Sequence, residues 1–213
     1  MDDSASRRRI LQAGAAAGLA AVGLAVTGSG SPASAAPLKL TQSCRDGDQT
    51  PSQMEGPFFK RNSPQRTNLV VGGVSGVLLS LRGTVYTQRC VPIPGALLEF
   101  WQADRYGRYD NVGYTLRGHQ YSAADGTYSL ETVVPKDYRD GATFRTSHIH
   151  VKVQRPGGRI LTSQLYFPST TQAYGMNVGL NNSRDSLYAR SLEIVLGPLA
   201  NNRYPGTFDF VIR

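Results

Sequence analysis

The sequence predicts an all-β fold, a β-sandwich of mostly antiparallel strands with long loops and little helix. Three observations lead there. Short apolar runs recur with a period of two, and Gly, Pro, Asn and Asp punctuate them at intervals typical of antiparallel sheets. After the N-terminal region no stretch sustains helical periodicity.

The first clear strand follows Gly76, where Leu79, Leu81, Gly83 and Val85 alternate with Leu78, Ser80, Arg82 and Thr84. That alternation gives the strand one apolar face and one polar face. Ala96–Trp101 comes next, after the turn-forming Pro92-Ile93-Pro94-Gly95. Further runs are Gly126–Thr132, Ser147–Val153, Arg159–Phe167, Ser191–Leu196 and Thr207–Ile212, with a short helical turn expected around Asp185–Arg190. Seven or so such strands make one sandwich. Two connections, 103–124 and 134–147, are longer than sheet turns require. Long ordered loops on a sandwich are where function concentrates.

The N-terminal segment reads as an address. Arg7-Arg8-Arg9 precedes a weakly hydrophobic Ala/Gly/Leu/Val stretch from Ala13 to Val26, and Ala33-Ser34-Ala35 supplies the small residues of a cleavage site. Residues 1–35 are therefore expected to be a twin-arginine-type signal peptide, which is a receptor-read export signal. The apolar stretch is short and glycine-rich, which argues against a permanent membrane span. Residues 36–75 are expected to form an N-terminal arm that packs on the core, and residues 76–213 the sandwich itself.

The 213-residue chain carries a formal net charge of +8. Its arginines are scattered, with no dense basic helix or aromatic stripe, so no nucleic-acid partner is expected. Cys44 and Cys90 are the only cysteines. In an exported chain an even pair favours a disulfide, with two unpaired thiols as the alternative.

The chemistry centres on Arg145-Thr146-Ser147-His148-Ile149-His150-Val151-Lys152-Val153. Two of the chain's three histidines sit one residue apart in a β-branched run. In a strand His148 and His150 project to one side and Ile149 to the other, and two convergent imidazoles are half of a first-row metal site. Tyrosines stand near enough to complete it, Tyr109 in the first long connection and Tyr138 ten residues before His148. Phenolate is a hard anionic donor that favours a trivalent cation. Two phenolates, two neutral imidazoles and a hydroxide would balance Fe(3+). By residue type alone Tyr106, Tyr114 and Tyr121 compete with Tyr109. A pair of half-buried histidines is the plain alternative for the His-x-His motif. His119 reads as a surface loop residue.

Several separated segments resemble one family in order and spacing. Trp101-Gln102-Ala103-Asp104 and Gly107-Arg108-Tyr109 resemble the intradiol ring-cleavage dioxygenases, the catechol and protocatechuate dioxygenases. Gly126-Thr127-Tyr128, Pro135 with Tyr138, and Arg145 ahead of His148-Ile149-His150 continue the likeness. Glu55-Gly56-Pro57-Phe58-Phe59 and Thr162-Ser163-Gln164-Leu165-Tyr166-Phe167 extend it across nearly all of the chain after the signal. The resemblance implies that Tyr109, Tyr138, His148 and His150 hold Fe(3+), and that Arg145 and Gln164 lie beside substrate and oxygen. It also implies a role for Tyr138 in substrate deprotonation. The implied activity opens a catecholic ring between its two hydroxyl-bearing carbons, using both atoms of O2. The implied partners are a small catecholic aromatic and O2, with the protein a monomer or small homo-oligomer. The arm over 36–75 leaves no room for the long helical N-terminal segment of the larger catechol-cleaving members, so the chain is more similar to the small secreted members.

Other functions make different demands. A zinc hydrolase or an extradiol-type iron(II) oxygenase needs a carboxylate or a third histidine with the pair. A secreted sandwich that only binds catecholic or polymeric aromatics would keep the ligands without turnover.

Overall fold

The computed structural model describes Cys44 and residues 48–213, so the expected signal over 1–35 and the first part of the arm lie outside the described residues. The strands are β1 (Leu78–Thr87), β2 (Leu97–Gln102), β3 (Arg117–Tyr121), β4 (Thr127–Val133), β5 (Tyr138–Asp140), β6 (Thr143–Arg145), β7 (His148–Gln154), β8 (Ile160–Tyr166), β9 (Val195–Leu196), β10 (Arg203–Thr207) and β11 (Phe210–Ile212). A single α-helix, α1 (Val178–Arg184), lies between β8 and β9 among the described residues.

Two sheets face each other. One is built on β1, which pairs antiparallel with β4 and parallel with β10 and then with β11, while β9 borders β10. The other runs β3-β2-β7-β8 and is antiparallel throughout. The fold is thus the expected mostly antiparallel sandwich, with parallel pairings confined to the C-terminal strands. Gly83 marks the changeover from β10 to β11 beside β1. A Cβ there would stand 1.8 Å from the carbonyl oxygen of Phe208, so the two chains can cross only at glycine.

The apolar faces meet between the sheets. Leu79, Leu81, Val85 and Leu130 come from one side, and Leu98, Phe100, Ile149, Val151, Val153 and Leu165 from the other, all buried. Gln102 is buried as well, and its amide bridges the sheets by donating to the carbonyl of Val133 and accepting from Thr132 Oγ1. That pairing satisfies a polar group that would be costly to bury alone.

Several sequence expectations need correction. The connection from 103 to 124 is not all loop, because Arg117–Tyr121 pairs with β2 as β3. His119 therefore sits in a strand, half-buried, with Nδ1 2.8 Å from the carbonyl of Ser63, and is not a surface loop residue. The connection from 134 to 147 contains the β5–β6 hairpin. The helix lies earlier than expected: Asn177 caps α1 by accepting from the Leu180 N–H, the helix ends at Asp185, and Arg190–Leu192 is a 3-10 turn. That turn consumes the first part of the run expected as strand Ser191–Leu196, leaving only Val195–Leu196 in β9. Finally, β10 contains Pro205 and Gly206, which mask a strand from propensity alone.

A disulfide joins Cys44 to Cys90. Further along the N-terminal segment, Thr50 exchanges two hydrogen bonds with Val211 of β11.

Candidate metal centre

Strand register builds the centre. Across the second sheet Arg117 of β3 lies opposite Trp101 of β2, Trp101 opposite His150 of β7, and His150 opposite Gln164 of β8. Directly opposed residues share a face, so these four form one row on the side away from Ile149 and Val151. His148 and Tyr166 form the next pair on that face.

The two imidazoles point at one another, with Nε2 atoms 3.1 Å apart. Nδ1 of His148 lies 2.6 Å from the carbonyl oxygen of Thr146. A carbonyl can only accept, so Nδ1 carries the proton and Nε2 presents a lone pair. Trp101 stacks on His150 with ring centroids 4.8 Å apart and planes within 5°. Gly56 of the N-terminal segment lies on the same imidazole, where an added Cβ would meet Cε1 at 3.4 Å. The ring is thereby clamped between a strand and the arm.

The tyrosines arrive from loops. Tyr109 OH is 3.4 Å from His148 Nε2. The Tyr109 and Tyr138 rings meet edge to face at 5.5 Å. Phe58 stacks on Tyr109 at 4.5 Å and meets Tyr138 edge-on at 6.1 Å. The structure therefore gathers all four expected donors, with Tyr109 in contact and Tyr106 exposed. Tyr138 sits on β5 opposite Arg145 on β6, so one short hairpin carries both.

Arg145 is buried and held on two sides. Its Nε bonds Asp185 Oδ2 at 3.1 Å, and its Nη2 donates to Gln164 Oε1. Gln164 in turn donates to the carbonyl of Met54, and Tyr166 OH lies 2.7 Å from Gln53 Oε1 and 2.7 Å from the carbonyl of Leu187. Asp185, at the end of α1, also accepts from the N–H groups of Thr146 and Leu187. Removing it would leave a buried cation without its partner, a costly change.

The electrostatics keep all four donors neutral in the absence of a cation. Burial, reinforced by the charge of Arg145, pushes His148 down to about 3. His150 is pushed well below its usual range by burial first, then by His148 and Arg145. Burial raises both phenols, that of Tyr109 further through its contact with Tyr138. A bound cation inverts this balance for the phenols, because its charge favours phenolate. Among the described residues no three His, Cys, Asp or Glu side chains cluster. The groups that converge with the His pair are thus phenol oxygens. Two nitrogens and two such oxygens fit a trivalent ion.

Sequence reasoning missed several neighbours of this centre. Arg117 and Gln53 adjoin it through strand register or through the arm, at separations that no local pattern encodes, whereas Trp101 and Phe58 stood in the family-like segments without a role at the centre. Asp185 was visible only as part of a short helix.

Residues 54–213 match the Dioxygenase_C family, described as Dioxygenase. Among curated proteins the chain is 31% identical over 140 residues to hydroxyquinol 1,2-dioxygenase of Nocardioides simplex, covering 56% of this chain and 48% of that protein. It is 32% identical over 138 residues to catechol 1,2-dioxygenase 2 of Acinetobacter lwoffii, covering 54% and 50%. The chain thus spans about half the length of these relatives. Among solved structures it is similar to the dioxygenase domain of a dioxygenase carbohydrate-binding protein fusion from Streptomyces sp. SirexAA-E, with a TM-score of 0.68 and 46% identity over 78% of this chain and 98% of that one. It is also similar to 3-chlorocatechol 1,2-dioxygenase from Rhodococcus opacus 1CP, with a TM-score of 0.67 and 26% identity over 76% of this chain and 71% of that one.

Proposed function

Because this chain belongs to the intradiol ring-cleavage dioxygenase family, we propose that it is an exported Fe(3+) enzyme that opens a catecholic ring between its two hydroxyl-bearing carbons. Both atoms of O2 enter the product, a muconate-type diacid. The observation that carries the reading is the convergence of Tyr109, Tyr138, His148 and His150, with Arg145 and Gln164 beside them. Tyr109, Tyr138, His148 and His150 would hold the ion. When bound, it supplies Lewis-acid charge that draws a deprotonated catechol and makes the electron-rich ring open to oxygen.

The chain's own residues then divide the work. With an ion held, Tyr138 would stand as phenolate and would accept one proton from a catechol hydroxyl at its oxygen, becoming a neutral phenol, while Tyr109 keeps its place under Phe58. Arg145 cannot give up its proton, so its guanidinium stabilises negative charge without joining proton transfer. Gln164 fixes that guanidinium, and the Met54 carbonyl fixes Gln164. Trp101 and Phe58 screen the histidines and Tyr109 from water. Nothing in this scheme calls for a dinucleotide or a reductant. Export is supported by the sequence of residues 1–35 and by the Cys44–Cys90 disulfide, a bond suited to an oxidising compartment.

The test is direct. Iron-loaded protein should show a strong visible tyrosinate-to-iron charge-transfer band and take up oxygen with a panel of catechols, giving ring-opened diacids by mass. Tyr109→Phe and His150→Ala should each remove most iron and at least about a hundredfold of activity, as expected for a lost ligand. A loaded protein that stays colourless would overturn the ferric reading. A band that catechol shifts without oxygen uptake would make the protein a binder.

A further inference from the structure

Tyr166 is a buried phenol whose hydroxyl faces more acceptors than it has protons. The residue has no exposed surface. Its OH lies 2.7 Å from Gln53 Oε1, 2.7 Å from the Leu187 carbonyl and 3.1 Å from Gln164 Oε1. The orientation of both amides follows from carbonyls that can only accept. Gln53 Nε2 faces the Leu187 carbonyl at 2.9 Å and Gln164 Nε2 faces the Met54 carbonyl at 3.0 Å, so each amide turns its oxygen to Tyr166. A phenol carries one proton and serves one of these oxygens at a time.

The other donors decide which. The Leu187 carbonyl already receives the Gln53 amide, and Gln164 Oε1 already receives Arg145 Nη2. Among the described residues no second donor reaches Gln53 Oε1. At rest the Tyr166 proton therefore lies on Gln53, and Gln164, the farthest of the three, depends on Arg145. The same guanidinium is set against the negative charge that develops on the substrate. Its Nε is committed to Asp185, so the Nη groups are the ones that can turn. A guanidinium that turns takes its hydrogen bond away from Gln164 Oε1, and a buried acceptor left unpaired is costly.

We propose that Tyr166 is a positioning residue for ring opening, a hydroxyl rotor that gives its hydrogen bond to Gln164 when Arg145 turns to the substrate and returns it to Gln53 afterwards. The movement is rotation about the phenol C–O bond. The phenol stays neutral throughout, and no covalent bond is broken. Gln164 keeps its place between Tyr166 and the Met54 carbonyl and is ready to take Arg145 back. The inference rests on the reading of Arg145 as the residue beside the substrate.

Three variants separate a rotor from a tie that merely fastens the arm. Tyr166→Phe keeps the ring and removes the hydroxyl. Gln53→Leu removes the resting acceptor and leaves the hydroxyl free to reach Gln164. Gln53→Glu supplies a carboxylate, which holds the hydroxyl more strongly than an amide does. Both Gln53 variants lose the bond to Leu187, so that loss is common to them. Iron-loaded protein is saturated with catechol under argon and mixed with O2, and the single-turnover decay of the visible band is followed. The Tm of the metal-free protein and the anaerobic Kd for catechol are measured beside it. Tyr166→Phe and Gln53→Glu should each slow the oxygen step about 10-fold, the equivalent of one lost hydrogen bond, with the Kd unchanged. Gln53→Leu should lower Tm as Tyr166→Phe does and slow that step much less. A structure of the anaerobic catechol complex should show Arg145 Nη2 withdrawn from Gln164 and the Tyr166 OH closer to Gln164 Oε1 than 3.1 Å.

If Tyr166→Phe and Gln53→Leu lower Tm alike and affect the oxygen step alike, Tyr166 only fastens the arm and the proposal fails. Should Tyr166→Phe not fold, equal oxygen steps in Gln53→Leu and Gln53→Glu have the same force. An Arg145 that keeps its bond to Gln164 in the catechol complex also overturns the rotor. A wild-type protein that stays colourless with iron or takes up no oxygen would instead defeat the proposed function, a result distinct from an active wild type with indistinguishable variants.

Discussion

Ile149, Val151 and Val153 leave one side of β7, and His148, His150 and Lys152 leave the other. The first set joins Leu98, Phe100, Leu161 and Leu165 in the sandwich core. The second joins Trp101, Arg117, Gln164 and Tyr166 beneath the N-terminal arm. One face is held by apolar burial, which depends on volume and tolerates repacking. The other is held by directional contacts between polar and aromatic groups, where a small displacement breaks a hydrogen bond. Trp101 Nε1 and His150 Nδ1, both on the second face, are buried without a hydrogen-bond partner among the described residues. The sheet therefore draws stability from one side and presents strictly placed donors on the other.

Substitutions that separate the faces test this contrast. Phe100→Ala, on the core side, should cost about 3–5 kcal/mol by urea denaturation, the usual range for a buried aromatic. At saturating iron its visible band should keep its position. His150→Gln should do the reverse, abolishing the band while costing the metal-free protein less stability than Phe100→Ala. If both variants damage stability and colour together, the faces are not separable.

Acid provides the next largest effect. His148 titrates at about 3 in the folded protein because burial excludes its charged form, whereas an unfolded histidine titrates near 6.5. Below about 6.5 the unfolded chain binds more protons, so the stabilising contribution is complete above that pH and is lost as pH falls towards 3. Metal-free protein should lose about 1.4 kcal/mol per pH unit from His148 across this window. Denaturation curves at pH 7, 6 and 5 would measure it, and a flat response would mean that the imidazoles are solvated. The smallest effect belongs to the rim. Glu55 pairs with Lys152, whose Nζ lies 3.8 Å from the centroid of the Phe59 ring, and the carboxylate is exposed to solvent. Glu55→Gln should change stability by no more than about 1 kcal/mol and leave the band in place.

The sequence carried the face of each strand far better than the neighbours of each strand. Period-two alternation alone put His148 and His150 on one side and Ile149 on the other, and the core strands β1, β2, β4, β7 and β8 follow the same pattern. Pairing between strands is set by long-range contacts. For that reason the row Arg117–Trp101–His150–Gln164 had no local signature. β3 escaped notice because Arg117-Gly118-His119-Gln120-Tyr121 is polar, and its arginine is buried by hydrogen bonds to loop carbonyls. β10 was masked by Pro205 and Gly206, although the Pro205 carbonyl still accepts from the Gly197 N–H at 2.8 Å. The tyrosines were found in loops because their chemistry, and the likeness to a family, singled them out from their neighbours.

The roof over the centre has a consequence for the order in which the molecule is made. Gln53 reaches Leu187 across 134 residues, Gln164 reaches Met54 across 110, and Val211 reaches Thr50 across 161. A segment near the start of the described chain thus waits for partners that leave the ribosome near its end. Contacts of such long sequence separation close slowly, because the intervening chain must be ordered first. The arm is therefore fastened in stages as the chain lengthens: Cys90 and Gln164 offer their partners first, and the bond between Thr50 and Val211 can close only after residue 211 has been made.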